Sequence, residues 1–223
     1  MSEEAAFPIA LSLRVAALAM LAVAPLGLAV AWLQARRRYA LRRAVDAAIL
    51  LPLVLPPSVL GFLLVLLLGR RGPLGRALEA WLDVRVIFSP AAAVIASAVV
   101  AFPVLVKTVQ PALEAVPAEL ERVGRSLGLG PLALFLRVAL PTAWRGALAA
   151  SVLAFARALG EFGATLMFAG HIPGRTNTMP LEIYAAWQAG DDARALLYVG
   201  VLSAVSVAVV LLAARLGPAE IPR

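Results

Sequence analysis

Residues Lys107 to Arg145 read KTVQPALEAVPAELERVGRSLGLGPLALFLRVALPTAWR, a long polar stretch between apolar flanks. It holds acids, bases, prolines at 111, 117, 131 and 141, and Gly128-Leu129-Gly130, whereas its flanks are nearly pure Ala, Leu and Val. The flanking runs match the roughly 18 or more apolar residues needed to cross a hydrocarbon core about 30 Å thick. A loop joining two such spans needs only a few residues. This one is long enough to fold into short helices of its own and to offer a surface to the aqueous phase.

Composition agrees with a chain that lives in a bilayer. Hydrophobic residues make up 62% of the 223 and charged residues 15%, outside the range of soluble globular proteins. The apolar runs are continuous and do not alternate with polar residues, which excludes a β-barrel. We therefore expect one all-α polytopic membrane domain over 1–223. A net charge of +7 raises nucleic acid or an anionic substrate as a partner. The bases cluster in loops, however, where they act as topological signals facing membrane lipid, so no nucleic acid is expected. There is no cysteine and one histidine, His171. Disulfides, thiolate sites and multi-histidine metal sites are thus excluded, and no metal site is expected.

Five spans are predicted, at about 9–33, 47–68, 90–106, 146–170 and 195–216. The opening MSEEAAFP has no basic segment of the kind that starts a cleavable signal. Arg36, Arg37, Arg38, Arg42 and Arg43 follow the first span and mark that loop as cytoplasmic. The N-terminus is then expected outside and the C-terminus inside. Lys and Arg number twelve in the segments assigned inside, Arg223 included, against six in those assigned outside. In the second span, Pro52, Pro56 and Pro57 each remove a backbone donor. Such a break is tolerated in lipid where protein buries it or where it lines a cavity. It predicts either a kink or part of a pathway.

Within 107–145, Pro117 suits a helix start, with Glu119 and Glu121 near the positive end of its dipole. Gly128 and Gly130 can end that helix and turn the chain, and PLALFLRVAL then restarts an amphipathic segment that Pro141 closes. The expectation is a helix–turn–helix on the cytoplasmic face. Its spacing resembles the EAA loop of permease subunits in ATP-binding-cassette (ABC) importers, E-A-A-x3-G-x9-I-x-L-P. Gly128, Val138, Leu140 and Pro141 stand in register. The triplet itself is replaced by Arg122-Val123-Gly124, with an acid one place earlier at Glu121. In that family the loop docks into a groove on the ATPase subunit, which implies a coupling role for Glu121, Gly124, Gly128, Val138, Leu140 and Pro141.

Other segments narrow the resemblance to permeases of molybdate/tungstate importers: LPLVLPP (51–57), GRRGPLG (69–75), ARALGEFGAT (156–165) and the IPG-x-T-x-T-x-P pattern at 172–180. Sulfate permeases are the near alternative. The resemblance implies the type I importer fold, a homodimer of permeases, two cytoplasmic ABC ATPase subunits and an extracytoplasmic molybdate-binding protein. It also implies a bacterial or archaeal plasma membrane.

Arg157 and Glu161, four residues apart inside the fourth span, share a helix face. Charges at that depth are costly and face protein or water, so the pair is either a gate element or an ion pair that stabilises packing. With Pro56, Pro57 and Gly163 it makes up the set of pathway candidates. No G-x-x-x-x-G-K-[ST] occurs and the sole lysine is Lys107, so this chain has no P-loop. ATP and Mg are expected on the partner, no cofactor on this chain, and no catalytic residue. Two other readings are an ion-coupled secondary carrier, which commonly shows internal repeats not visible here, and a membrane-embedded enzyme, for which the residues are lacking.

Overall fold

The computed structural model describes residues 3–36 and 39–216, and these form helices with no strand among them. Arg37, Arg38 and Arg223 of the charge tally lie outside the described residues. The first span is the middle of a longer helix, α1 (Glu3–Arg36), which remains continuous through Pro8 and Pro25.

The second span is not one helix. α2 (Arg42–Val54) and α3 (Pro57–Leu68) meet at an angle of 110°. Pro56 and Pro57 lack the amides that would bond the carbonyls of Pro52 and Leu53. Leu55 N–H still reaches the Leu51 carbonyl (3.0 Å), and the ladder resumes only with Leu60 N–H to the Pro56 carbonyl (3.1 Å). The expected outer stretch 69–85 contains a helix of its own, α4 (Pro73–Leu82).

The core helix is α5 (Pro90–Glu114), started by Ser89, whose hydroxyl accepts from Ala92 N–H, and by Pro90 in the first turn. It runs eight residues past the expected end at 106, so 107–114 is the continuation of a membrane helix and not the start of a loop. The reason lies in Lys107 and Glu114, which pair with Asp46 and Arg42 on α2 and extend the helix beyond its apolar part. α5 packs against α1, α9 and α10, with alanines 16, 19, 93, 96, 101, 150 and 154 buried in these contacts. Small side chains let membrane helices approach closely, which supplies van der Waals contact where no hydrophobic effect separates helix from lipid.

The polar hairpin follows as α6 (Ala118–Ser126), α7 (Pro131–Leu134), a π-turn at Phe135–Ala139 and the three-residue α8 (Leu140–Thr142). The widened turn lies just before Pro141, whose missing amide leaves the Arg137 carbonyl without its usual donor. Thr142 Oγ1 donates to the neighbouring Val138 carbonyl at 2.7 Å. The chain then bends by 85° into α9 (Trp144–Leu159). The expected span 146–170 also divides, since α9 stops at Leu159 and α10 (Gly163–Phe168) follows a three-residue break. α11 (Met179–Gln188) occupies the expected outer loop, and α12 (Asp192–Leu216) rests mainly on α9 and α11. Among the described residues, three helices are long enough to span unbroken, and the number reaches five if α2 with α3, and 131–142 with α9, each count as one bent span.

The bundle has two distinct ends. At one, the C-terminal ends of α1 and α5, the start of α2 and the hairpin converge. At the other, Met179 N–H donates to Ser12 Oγ (2.7 Å), Tyr198 OH donates to the Ala5 carbonyl (3.3 Å), and Phe88 N–H donates to the Phe168 carbonyl (3.2 Å).

Candidate coupling face and broken-helix site

α6 is amphipathic in an inverted sense. Its charged Glu121 and its Gly124 face inward and are buried, while Leu120, Val123 and, just beyond, Leu127 face solvent. Leu127 is 76% exposed, and Leu132 and Leu136 on the second arm are 70% and 51% exposed. Exposed leucines grouped at the end of a bundle make this face a candidate interaction surface.

Glu121 holds this hairpin to α1. Its carboxylate Oε1 lies 2.7 Å from Arg36 Nε, and Arg125, one turn later, reaches Oε2 at 3.3 Å. Arg36 also donates through Nη2 to the Val116 carbonyl (2.7 Å), in the link between α5 and α6. The acid displaced by one place from the E-A-A pattern is therefore a structural tie, with its side chain 4% exposed. Gly124 lets the two arms close, since a Cβ there would meet Leu134 Cδ2 at 2.5 Å.

Gly128 ends α6 with φ +81°, a left-handed conformation that favours glycine. Leu129 N–H bonds back to the Gly124 carbonyl (3.0 Å) and Gly128 N–H to that of Arg125 (3.0 Å), which is the Schellman pattern. Val138 is half-buried beside Gly124, Leu140 packs on the core, and Pro141 is exposed at the bend into α9. The hairpin candidates thus belong to one device.

The pathway candidates come together as well. Pro56 and Pro57 begin α3, and Gly163 begins α10; a Cβ on Gly163 would sit 2.7 Å from Pro57 Cβ. The break between α2 and α3 is therefore in contact with the break between α9 and α10. Glu161 bonds both ways across its own break: Oε2 pairs with Arg157 Nη1 at 2.8 Å, and Oε1 accepts from Ala164 N–H at 2.9 Å. It tethers α9 to the amide-rich start of α10, where two consecutive helix ends would otherwise be held only by backbone.

Sequence reasoning missed three groups. Asp46 accepts from Gln34 Nε2 (3.2 Å) and pairs with Lys107, joining α1, α2 and α5, while Tyr39 OH donates to Gln34 Oε1 (2.5 Å). A lone acid inside an arginine-rich run was the available signal for Asp46. In sequence Arg36 reads as one topological charge among five, with nothing local to mark it as the half-buried one that pairs with Glu121. At the opposite end, Glu182 on α11 collects Arg194 (2.5 Å), His171 (3.0 Å) and Asn177 Nδ2 (3.0 Å). Burial pushes its carboxyl upward, but hydrogen bonds with His171 and Asn177 and the charges of Arg194 and His171 outweigh this and hold it below the usual 4.5.

Comparison with known proteins identifies the family and the fold. The family described as "Binding-protein-dependent transport system inner membrane component" matches residues 23–220. The molybdenum transport system permease protein ModB of Escherichia coli (strain K12) is 44% identical over 178 residues, covering 80% of this chain and 78% of that protein. ModB of Haemophilus influenzae is 42% identical over 201 residues, covering 88% of each. The putative molybdenum transport system permease protein YvgM of Bacillus subtilis (strain 168) is 40% identical over 200 residues, covering 89% and 88%. Among solved structures, a chain of the MetNI methionine ABC transporter in inward-facing conformations superposes with a TM-score of 0.64 at 16% identity, over 98% of this chain and 100% of that one. That likeness is one of fold. Since the family match runs from the middle of α1 past the end of α12, the chain belongs to the inner-membrane components of binding-protein-dependent transport systems.

Proposed function

We propose that this chain is the permease subunit of an ATP-driven molybdate importer. It works as a homodimer with two cytoplasmic ABC ATPase subunits, which bind ATP and Mg, and with an extracytoplasmic molybdate-binding protein. The observation that carries the substrate is the 40–44% identity to molybdenum permeases over four-fifths or more of the chain. The coupling part of the proposal rests on the hairpin. Its outward leucines seat in the ATPase, and its inward Glu121 hands the motion to α1 through Arg36, while the bend at Pro141 hands it to α9.

The N-terminus lies outside in this reading, so the hairpin end faces the cytoplasm. The path runs beside the paired breaks at Pro56-Pro57 and Gly160–Gly163, where each helix can pivot without losing a full ladder of hydrogen bonds. Arg157 is neutralised by Glu161, so it steers the oxyanion weakly, and capture falls to the binding protein.

The test is uptake of radiolabelled molybdate into proteoliposomes containing the permease and its ATPase, with the binding protein on the outer side. Uptake requiring both ATP and the binding protein, and outcompeted by molybdate more strongly than by sulfate, is expected. Uptake driven by an ion gradient without ATP would overturn the reading.

A further inference from the structure

At the end of the bundle away from the hairpin, a cavity of about 590 Å³ opens between the 170–178 loop, α11 and the start of α12. Phe7 and Ala185 supply apolar wall, and His171, Glu182, Asp191 and Arg194 supply the polar groups. Their charges do not cancel. Arg194 is spent on Glu182 at 2.5 Å, while Asp191 is exposed and uses one oxygen to cap the Arg194 amide at 3.0 Å. The lining thus sets two carboxylates, Glu182 and Asp191, against one guanidinium that is already paired, and His171 is hydrogen-bonded to Glu182. Such a lining repels an oxyanion and attracts a cation on an aliphatic stem, because the stem can lie along the apolar wall with its charge beside the acid.

The rim is fixed in advance. Thr176, fully buried, donates to the Gly170 carbonyl (2.8 Å) and accepts from Ile172 N–H (3.0 Å), and Asn177 and Thr178 are each 4% exposed. The loop is thus held by its own buried polar side chains, Thr176 on its backbone and Asn177 on Glu182. A loop set before its partner arrives loses less conformational freedom on binding.

We propose that this cavity is a socket for a Lys or Arg side chain of the extracytoplasmic molybdate-binding protein. The inference rests on the importer reading above and adds to it the docking point and its chemistry. It is tested with the complete permease–ATPase complex in nanodiscs and the purified cognate binding protein, measuring their equilibrium affinity. Replacing Asp191→Asn is expected to weaken binding about fivefold and to flatten its salt dependence. Filling the cavity with Ala185→Phe is expected to weaken it about tenfold or more. Co-purification of the ATPase shows that each variant is folded; should A185F not assemble, D191N carries the test at an exposed position.

Wild-type affinity in both variants overturns the socket while leaving the importer reading intact. No binding by the wild type overturns that reading and the socket with it. Binding of free molybdate to the complex that D191N or A185F abolishes would make the cavity a cargo site and overturn the proposal in that direction.

Discussion

Glu121 shows how much one displaced acid can carry. Removing its charge leaves Arg36 facing a buried neutral amide, and breaking a buried pair from one side costs about 3 kcal/mol or more. Glu121→Gln is therefore expected to lower the melting temperature of the complex and to raise the ATP hydrolysed per molybdate imported. Arg36→Gln combined with E121Q should cost less than the two single changes added together, because neither then leaves an unpaired charge. A double-mutant cycle on melting and on uptake checks this. Glu182 makes a second expectation, in pH. Its carboxyl titrates below 4.5 in the folded protein, so the stability it contributes is present above the unfolded value and is lost as pH falls through the lower folded one. Hydrogen exchange across 170–194 should stay slow at pH 5 and rise only below the usual carboxylate range, whereas Glu182→Gln should exchange faster at neutral pH as well.

In the proposed function the hairpin carries the coupling, and its turn separates two glycines that look alike in sequence. Gly128 has φ +81°, while Gly130 has φ −71° with nothing within 4 Å of a Cβ. Gly128→Ala is expected to destabilise the turn by about 1 kcal/mol and to reduce ATPase co-purification; Gly130→Ala should do neither. Thermal melting and pull-down with the ATPase distinguish them. The Gly128-to-Pro141 spacing made this turn legible in the sequence, because helix ends and prolines are local signals. The break at Pro56-Pro57 was legible for the same reason. Its contact with Gly163 was not, since no periodicity links residues a hundred positions apart. Nor did hydropathy find the true end of α5, where Lys107 and Glu114 read as loop residues until Asp46 and Arg42 stand opposite them. The interruption after Leu159 was hidden by apolar residues that continue through Phe168.

On the scale of the whole molecule, the two ends of the bundle are chemically unlike, and the proposed function sets the hairpin end toward the cytoplasm. The chain has no cysteine, so single reporters can be placed without background. Ser126→Cys on the hairpin should react with an impermeant maleimide only in inside-out vesicles, and Arg175→Cys in the opposite loop only in intact cells. The reverse pattern would invert the topology. The uncommon composition has a further use at the junction of α1, α2 and α5. Lys107 is the only side-chain amine in the protein, and it is bound to Asp46 where those three helices meet. An amine-selective acylating reagent therefore has one side-chain target, whose nucleophilicity depends on whether that junction is closed. The rate of acylation becomes a clock for the parting of the three helices, readable by mass spectrometry on the native chain with no engineered label.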